Sequence, residues 1–463
     1  MMSSLQSTLE KAVEIIKKHD YARVVSHYDA DGITSTAIIC TALLRTGIQF
    51  HSSIVSNLDR TFIQDLNEDL IIICDMGTAQ TDLIAEYLKD EDVIIIDHHV
   101  APLALASTPD NAASHIIINP HRSPDAGAKE IEGEVCAAGL SYLVVRCLAP
   151  EGNIDLAGLA IAGTLGDKLE IESGINKMIL DEAIKEGVIT IKEGLKLGDG
   201  KIRELLLSST DPYTPLVGKA EWVDAFLDKV GIDQDKLLNN LEVEEEKRLA
   251  TALLSQAREF DLELPESALL GTTYNMNLEL VRNGQDFMRM IDACGRFGKS
   301  GIGVGLCMHE AKMKEEARSL YLQFQNKLVS ELNRIEGAEG EGIKELAHSF
   351  YFYVQETGIT GVLAGILAEY IHTKKPLIVL NKKDREGERA VTKISARCNK
   401  KLLVSSEGNG VDLAKAVEKA ANEVQGFGGG HPVAAGASIP KGSEEKFITS
   451  IDRIIGEQRQ GLS

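Results

Sequence analysis

Four short runs in the first 120 residues limit this chain more than anything else in it: ARVVSH (22–27), LIIIC (70–74), DVIIID (92–97) and SHIIIN (114–119). Each is apolar at almost every position rather than at alternate ones. That pattern suits strands covered on both faces, as in a parallel sheet, and not the one-sided strands of a hairpin protein. Helical patterns such as STAIICTALLRTG (35–47) lie between some of the runs. The expectation is a doubly wound α/β domain.

The length of 463 residues suggests two or three domains. The character changes near residue 200, where LLNNLEVEEEKRLATALLSQAREF (237–260) is a charged helical pattern. A second long helical run covers 309–337 and leads into the acidic, glycine-rich GAEGEG (337–342). Beyond it SFYFYVQ, PLIVLN and AVTKISAR again mix strand patterns with helices. The division expected is an α/β domain over 1–200, a largely helical middle segment over 201–308, a linker helix over 309–344, and a second α/β domain over 345–463.

A net charge of −21 argues against a protein that coats nucleic acid. The charge is uneven, however. Between Lys374 and Lys401 ten Lys or Arg face three acids, a net +7, so one local strip can meet a polyanion. Seven cysteines without a C-x-x-C pair point away from a disulfide framework or zinc knuckle and towards a reducing, cytoplasmic setting. No stretch has the pattern of a signal peptide or the length of a membrane span, so no membrane association is expected.

Ligands of parallel α/β sheets gather at the carboxyl ends of the strands. Here those ends carry His27, Asp29 and Asp31 (HYDADG), Asp75 (CDMG), Asp97, His98 and His99 (DHH), and Asn119 with His121 (NPHR). Asp167 in GTLGDK is expected within or beside a helix. One acid after a strand is ordinarily a helix cap or turn residue, and Asp31 before GITSTA fits that role. Their conjunction is different. At least four carboxylates and three imidazoles would meet on one edge and repel one another unless compensated. Two divalent cations would neutralise Asp29, Asp31, Asp75 and Asp167. With no thiolate in the set, Mn2+ is favoured over zinc, with Mg2+ or Co2+ as substitutes. A two-metal centre of this kind activates water and clamps a phosphoryl group.

HYDADG, DMG, IIIDHHV and GTLGDK, in that order, resemble the four motifs of the DHH phosphoesterase superfamily. GFGGGHPVAAG (426–436) resembles the GGGH motif of its DHHA1 domain, and DACGRFGK (292–299) the N-A-x-G-R motif of RecJ-type nucleases. The resemblance covers most of the chain outside roughly 200–285 and is strongest to archaeal RecJ-like single-strand exonucleases. It implies an N-terminal DHH domain and a C-terminal DHHA1 domain. It further implies that Asp29 and Asp31 bind one metal each, that Asp75 bridges them, and that His98 binds the second metal with Asp167. Asp97 would orient an imidazole and His99 would face the scissile phosphate. His431, the amides of Gly428, Gly429 and Gly430, Arg397 and Arg296 would hold substrate phosphates. Two positions depart from the pattern. His27, expected on the first metal, stands where bacterial RecJ proteins carry Asp, and Asp292 replaces the Asn of the RecJ motif.

The resemblance implies a Mn2+-dependent exonuclease on single-stranded DNA, with RNA as a further substrate, acting in DNA replication or repair. Aromatic residues make up only 5% of the chain, so phosphate contacts should dominate over base stacking. Two alternatives stay open: a phosphodiesterase for dinucleotides, short oligonucleotides or cyclic dinucleotides, and a replisome scaffold. Archaeal relatives associate with the GINS complex, which makes GINS an expected partner.

Overall fold

The structure, a computed structural model, describes residues 2–99, 115–121, 134–337, 342–382, 385–386, 389–403 and 410–461, with the side chains of 2–4, 385–386 and 389–390 left aside. Most of GAEGEG, Ser114, and the side chains of Lys383, Arg385 and Arg389 from the basic strip therefore lie outside the described residues. The chain divides into two compact units, 1–193 with 272–321 and 194–271 with 322–463.

In the first unit β1 (Tyr21–His27), β2 (Gln49–Val55), β3 (Leu70–Cys74), β4 (Asp92–Ile96) and β5 (His115–Ile118) form one sheet in the order β2-β1-β3-β4-β5. Every pairing is parallel. β3 and β4 are buried at nearly every residue because helices cover both faces. Helices Ala30–Arg45, Ala137–Leu148 and Ala157–Gly166 pack on the face that carries Val24, Ile72 and Ile94. Helices Arg60–Gln64 and Thr81–Tyr87 cover Val25, Ile73 and Ile95 on the other. Burying a whole Ile or Val is worth about 1.5–3 kcal/mol, so these uninterrupted runs hold the sheet and register together. The strand order reverses at β1/β3, the switch point where such sheets bind ligands.

β6 (Ile189–Leu195) and β7 (Leu270–Met276) form a two-stranded sheet. The middle segment is helical, with Ala220–Val230 and Val243–Glu259 packed around Val223, Leu227, Leu249 and Leu253. The long helical run appears as helix Met313–Gly337.

The second unit holds β8 (Lys344–Glu345), β9 (Phe350–Val354), β10 (Leu377–Asn381), β11 (Arg385–Glu386), β12 (Arg389–Arg397), β13 (Phe427–His431) and β14 (Ala434–Pro440). Its main path runs β13-β14-β12-β10-β9-β8, with β11 paired to β12. Among the described residues of this mixed sheet, β9/β10 is the one parallel pairing. Helices Leu413–Asn422 and Glu444–Arg459 cover Ile378, Leu380, Ile394 and Ala396 on one face. The glycine run Gly428–Gly430 lies within β13 and is not a loop.

Candidate metal centre

Each group of the expected site is delivered by the end of an element. β1 ends at His27, and Asp29 caps helix Ala30–Arg45 by accepting from the Gly32 N–H at 3.0 Å. The cap of this helix is thus Asp29, while Asp31 lies within its first turn and serves another helix. Both of its oxygens accept from backbone N–H groups at the start of helix Ala137–Leu148, Ala137 at 2.8 Å and Ala138 at 2.7 Å. Those unpaired amides and the helix dipole hold a buried anion in place.

Asp75 follows β3 with φ 57°, a left-handed conformation that Asp and Asn tolerate better than other side chains. Its N–H donates to the Ile96 carbonyl at 2.8 Å, which extends the ladder past the strand and turns the carboxylate inward. Asp97 follows β4 in the same way and acts as a hub. It accepts from the N–H groups of Thr78 (2.9 Å), His98 (2.8 Å) and His99 (3.1 Å), and pairs with His99 Nδ1 at 2.8 Å. Asn119, after β5, donates to the Thr78 hydroxyl and the His99 carbonyl, and so braces the same turn. Asp167 closes helix Ala157–Gly166. A Cβ on Gly163 would stand 2.8 Å from Asp31 Oδ1, and one on Gly166 would stand 2.8 Å from the Ala30 Cβ. The small residues of GTLGD thus let this helix end come against Asp31.

Three groups of ligand atoms lie within 4.8 Å of one another: His27, Asp29 and Asp75; Asp75, His98 and His99; and Asp31, His98 and Asp167. His27 Nδ1 is 2.7 Å from Asp29 and 3.5 Å from Asp75. His98 Nε2 is 3.4 Å from Asp75, 3.3 Å from Asp167 and 3.7 Å from Asp31.

The electrostatics are those of a centre short of positive charge. Burial, then the carboxylates of Asp29 and Asp31, pushes the Asp75 carboxyl well above the usual range. Burial and Asp31 do the same to Asp167. Burial would lower the His27 imidazole, but its hydrogen bond to Asp29 and the nearby Asp75 carboxylate prevail and hold it up at about 11. Burial opposes Asp97, yet His99 and Thr78 hold its carboxyl well below the ordinary range, while Asp97 in turn raises His99. Asp75 Oδ2 and Asp167 Oδ2 are buried and accept no hydrogen bond. Buried oxygens are normally paired. Two orphaned carboxylate oxygens among imidazoles and further carboxylates make a donor set that fits divalent cations.

The remaining expected residues lie elsewhere. Arg296 ends helix Gly284–Arg296 and is bonded by Asp292, one turn earlier, so the acid in the RecJ-like motif anchors this guanidinium. A Cβ on Gly295 would be 1.6 Å from the Tyr28 carbonyl, so only glycine allows the helix to reach the loop between His27 and Asp29. Arg397 ends β12 and donates to the Ala396 carbonyl at 2.9 Å. Gly428, Gly429, Gly430 and His431 make up the rest of β13, and all five residues belong to the second unit. The seven cysteines are free thiols. No described helix is long and apolar enough to cross a membrane.

The roles of Thr78, Asn119 and the Ala137 and Ala138 amides were not read from the sequence. Asn119 was visible at a strand end. Backbone donors leave no residue signature.

Comparison with known proteins agrees with this architecture. Residues 22–164 match the DHH family N-terminal domain and 348–457 the DHHA1 domain. An uncharacterised protein of Methanocaldococcus jannaschii is 30% identical over 99% of both chains. The single-stranded-DNA-specific exonuclease RecJ of Thermus thermophilus is 27% identical over 40% of this chain and 28% of its own length. The crystal structure of RecJ from that organism in complex with Mn2+ superposes with a TM-score of 0.59 at 18% identity, over 98% of this chain and 55% of RecJ. CDC45 of Entamoeba histolytica superposes with a TM-score of 0.66 at 12% identity, over 97% and 99%. The chain belongs to the RecJ-like branch of the DHH/DHHA1 phosphoesterase superfamily.

Proposed function

We propose that the protein is a Mn2+-dependent exonuclease that hydrolyses phosphodiesters of single-stranded DNA, and of RNA as a second substrate, releasing mononucleotides. The observation that carries this reading is the pair of ligand groups around one buried carboxylate. His27, Asp29 and Asp75 would hold one cation, and Asp31, His98 and Asp167 the other; Asp75 also groups with His98 and His99, so it would serve both. When bound, two such cations supply an acidified water and positive charge for the phosphoryl oxygens.

The chain's own residues do the rest. Asp97 fixes the His99 ring through Nδ1 and favours its protonated form, so the ring donates to a phosphoryl oxygen where negative charge grows. Burial works against the charge of Arg296, but Asp292 and Asp29 outweigh it, and the guanidinium binds a neighbouring phosphate. A cavity of about 370 Å³ beside Tyr28, lined also by Ser52, Ser56 and Ser300, offers room for a nucleoside. Arg397, His431 and the β13 glycines bind phosphates farther along the strand. The likeness to RecJ supports single-stranded DNA as substrate; replication or repair is the proposed setting, with GINS as the partner to be sought by co-purification.

The rival reading is a phosphodiesterase for dinucleotides or cyclic dinucleotides. The decisive measurement is kcat/KM with Mn2+ on a dinucleotide and on a 20-mer, for wild type and His431→Ala. A loss confined to the 20-mer supports the exonuclease. An equal or larger loss on the dinucleotide transfers the assignment to the small-substrate enzyme.

A further inference from the structure

The β13 edge of the second unit presents a face that the phosphate contacts do not use up. Side chains alternate along a strand, so Phe427, Gly429 and His431 point one way and Gly428 and Gly430 the other. A Cβ on Gly428 would meet Val417 of helix Leu413–Asn422 at 2.8 Å, which marks that side as packed. A Cβ on Gly429 would meet nothing within 4 Å, so the opposite side is open. The register carries the open face across two further strands. Phe427 pairs with Ser438, which pairs with Lys393; Gly429 pairs with Gly436, which pairs with Ser395. His431 pairs with Ala434, which pairs with Arg397. Lys393 donates to the Ser438 hydroxyl at 2.7 Å, which confirms that these side chains share the face.

The result is a shelf with a bare backbone floor at Gly429 and Gly436. Cationic or imidazole groups stand at one end and along the inner side, and an aromatic ring at the other. Phe427 is 82% exposed, more than any other large hydrophobic residue among those described. A single exposed apolar side chain needs no explanation. This one stands on the same strand face as His431, four residues or roughly 13 Å away at the ordinary strand rise. A single strand lying along this face would bring a base to the ring and a phosphate to the imidazole. Base–aromatic stacking accepts any base, because each has a π-face.

We infer that Phe427 is a base-stacking residue, and that the face from Phe427 to His431 is a nucleotide subsite gripping one base and its neighbouring phosphate without regard to sequence. The inference rests on the nuclease reading and adds to it a contact with the base, where the composition alone suggested that phosphate contacts dominate.

The test is binding of the full-length protein in EDTA, where no cleavage interferes, to a labelled single-stranded 20-mer and to the same strand built entirely of abasic tetrahydrofuran units. Phe427→Ala should raise Kd for the natural strand roughly 5- to 150-fold, the range for one lost stack. It should leave the abasic strand within about twofold. Phe427→Trp should restore binding. Phe427→Leu keeps apolar bulk without a π-face, so it should behave like Ala. Equal losses on both strands, or no loss on the natural one, overturn the inference. So does unchanged binding with a shift in sedimenting mass, which would assign Phe427 to a contact between copies of the chain. Cleavage by the wild type with Mn2+ separates the two levels. A protein that cuts strands but is indifferent at Phe427 loses only the stack, whereas one that binds strands through Phe427 and never cuts them loses the nuclease reading.

Discussion

Replacing Asp75 by Asn should make the metal-free protein more stable and the enzyme inactive. Asp75 is buried, its Oδ2 accepts no hydrogen bond, and burial with the nearby Asp29 and Asp31 raises its carboxyl well above the usual range. A buried polar group without a partner costs about 1–3 kcal/mol, and more when charged. An amide of the same shape removes the charge and tolerates φ 57° as Asp does. A gain of about 1–3 kcal/mol corresponds to roughly 2–12 °C in Tm for a unit of about 150–250 residues. Asp75→Ala also removes the charge, but it places an ordinary side chain in the left-handed region at a cost of about 1–2 kcal/mol, so it should melt below the Asn variant. Both should lose at least roughly 10²-fold in kcat/KM, about 2.7 kcal/mol of barrier, as for loss of one key electrostatic group. Calorimetry in EDTA at pH 8 and cleavage of end-labelled oligonucleotide at saturating Mn2+ supply the two readings. An Asn variant that melts at or below wild type in EDTA, or that retains activity within about tenfold, would refute the reasoning.

Mn2+ should raise the Tm of wild type relative to EDTA, since binding at a hundredfold excess over Kd adds about 2.7 kcal/mol; coincident melts would count against a preformed centre. In EDTA the Tm should also fall as pH rises from about 6 to 9. The His27 pKa is raised from 6.5 to about 11, so its stabilisation is full below 6.5 and is lost as pH climbs through that window. The raised carboxyls of Asp75 and Asp167 act in the same direction, being better tolerated protonated than ionised. A metal-free melting curve that is flat or rising over this range contradicts both assignments.

The parallel sheet was legible because burial on both faces leaves no polar position in β3 and none in β4 after Asp92, and the runs announce themselves. β2 was not picked out. It lies at the sheet edge, and its QFHSSIV reads as neither apolar nor alternating. The motif residues His27, Asp29, Asp75, Asp97 and His98 could be placed at strand ends from pattern alone. What could not be read was the division of labour. Asp29 and Asp31 look alike in HYDADG, yet one caps its own helix while the other is held by the amides of a helix over 100 residues later. Tertiary approach decides that, and no local preference encodes it. That Gly428–Gly430 form a strand was also not legible. Glycine is a poor strand former, and only the close packing of helix Leu413–Asn422 on Gly428 explains why strand wins there.

The six groups that would hold cations come from residues 27 to 167, and none of the three-member sets is a single contiguous stretch of chain. Synthesis proceeds at about 5–20 residues per second, so His27 emerges many seconds before Asp167 can join it. A chain made only as far as residue 75 therefore carries His27, Asp29 and Asp75 but none of His98, His99 and Asp167, so the other ligand groups form later. The same dispersion governs lifetime. A cation seated across the whole sheet edge is lost only when that edge opens, so Mn2+ should act mainly as a brake on unfolding rather than as a guide to folding.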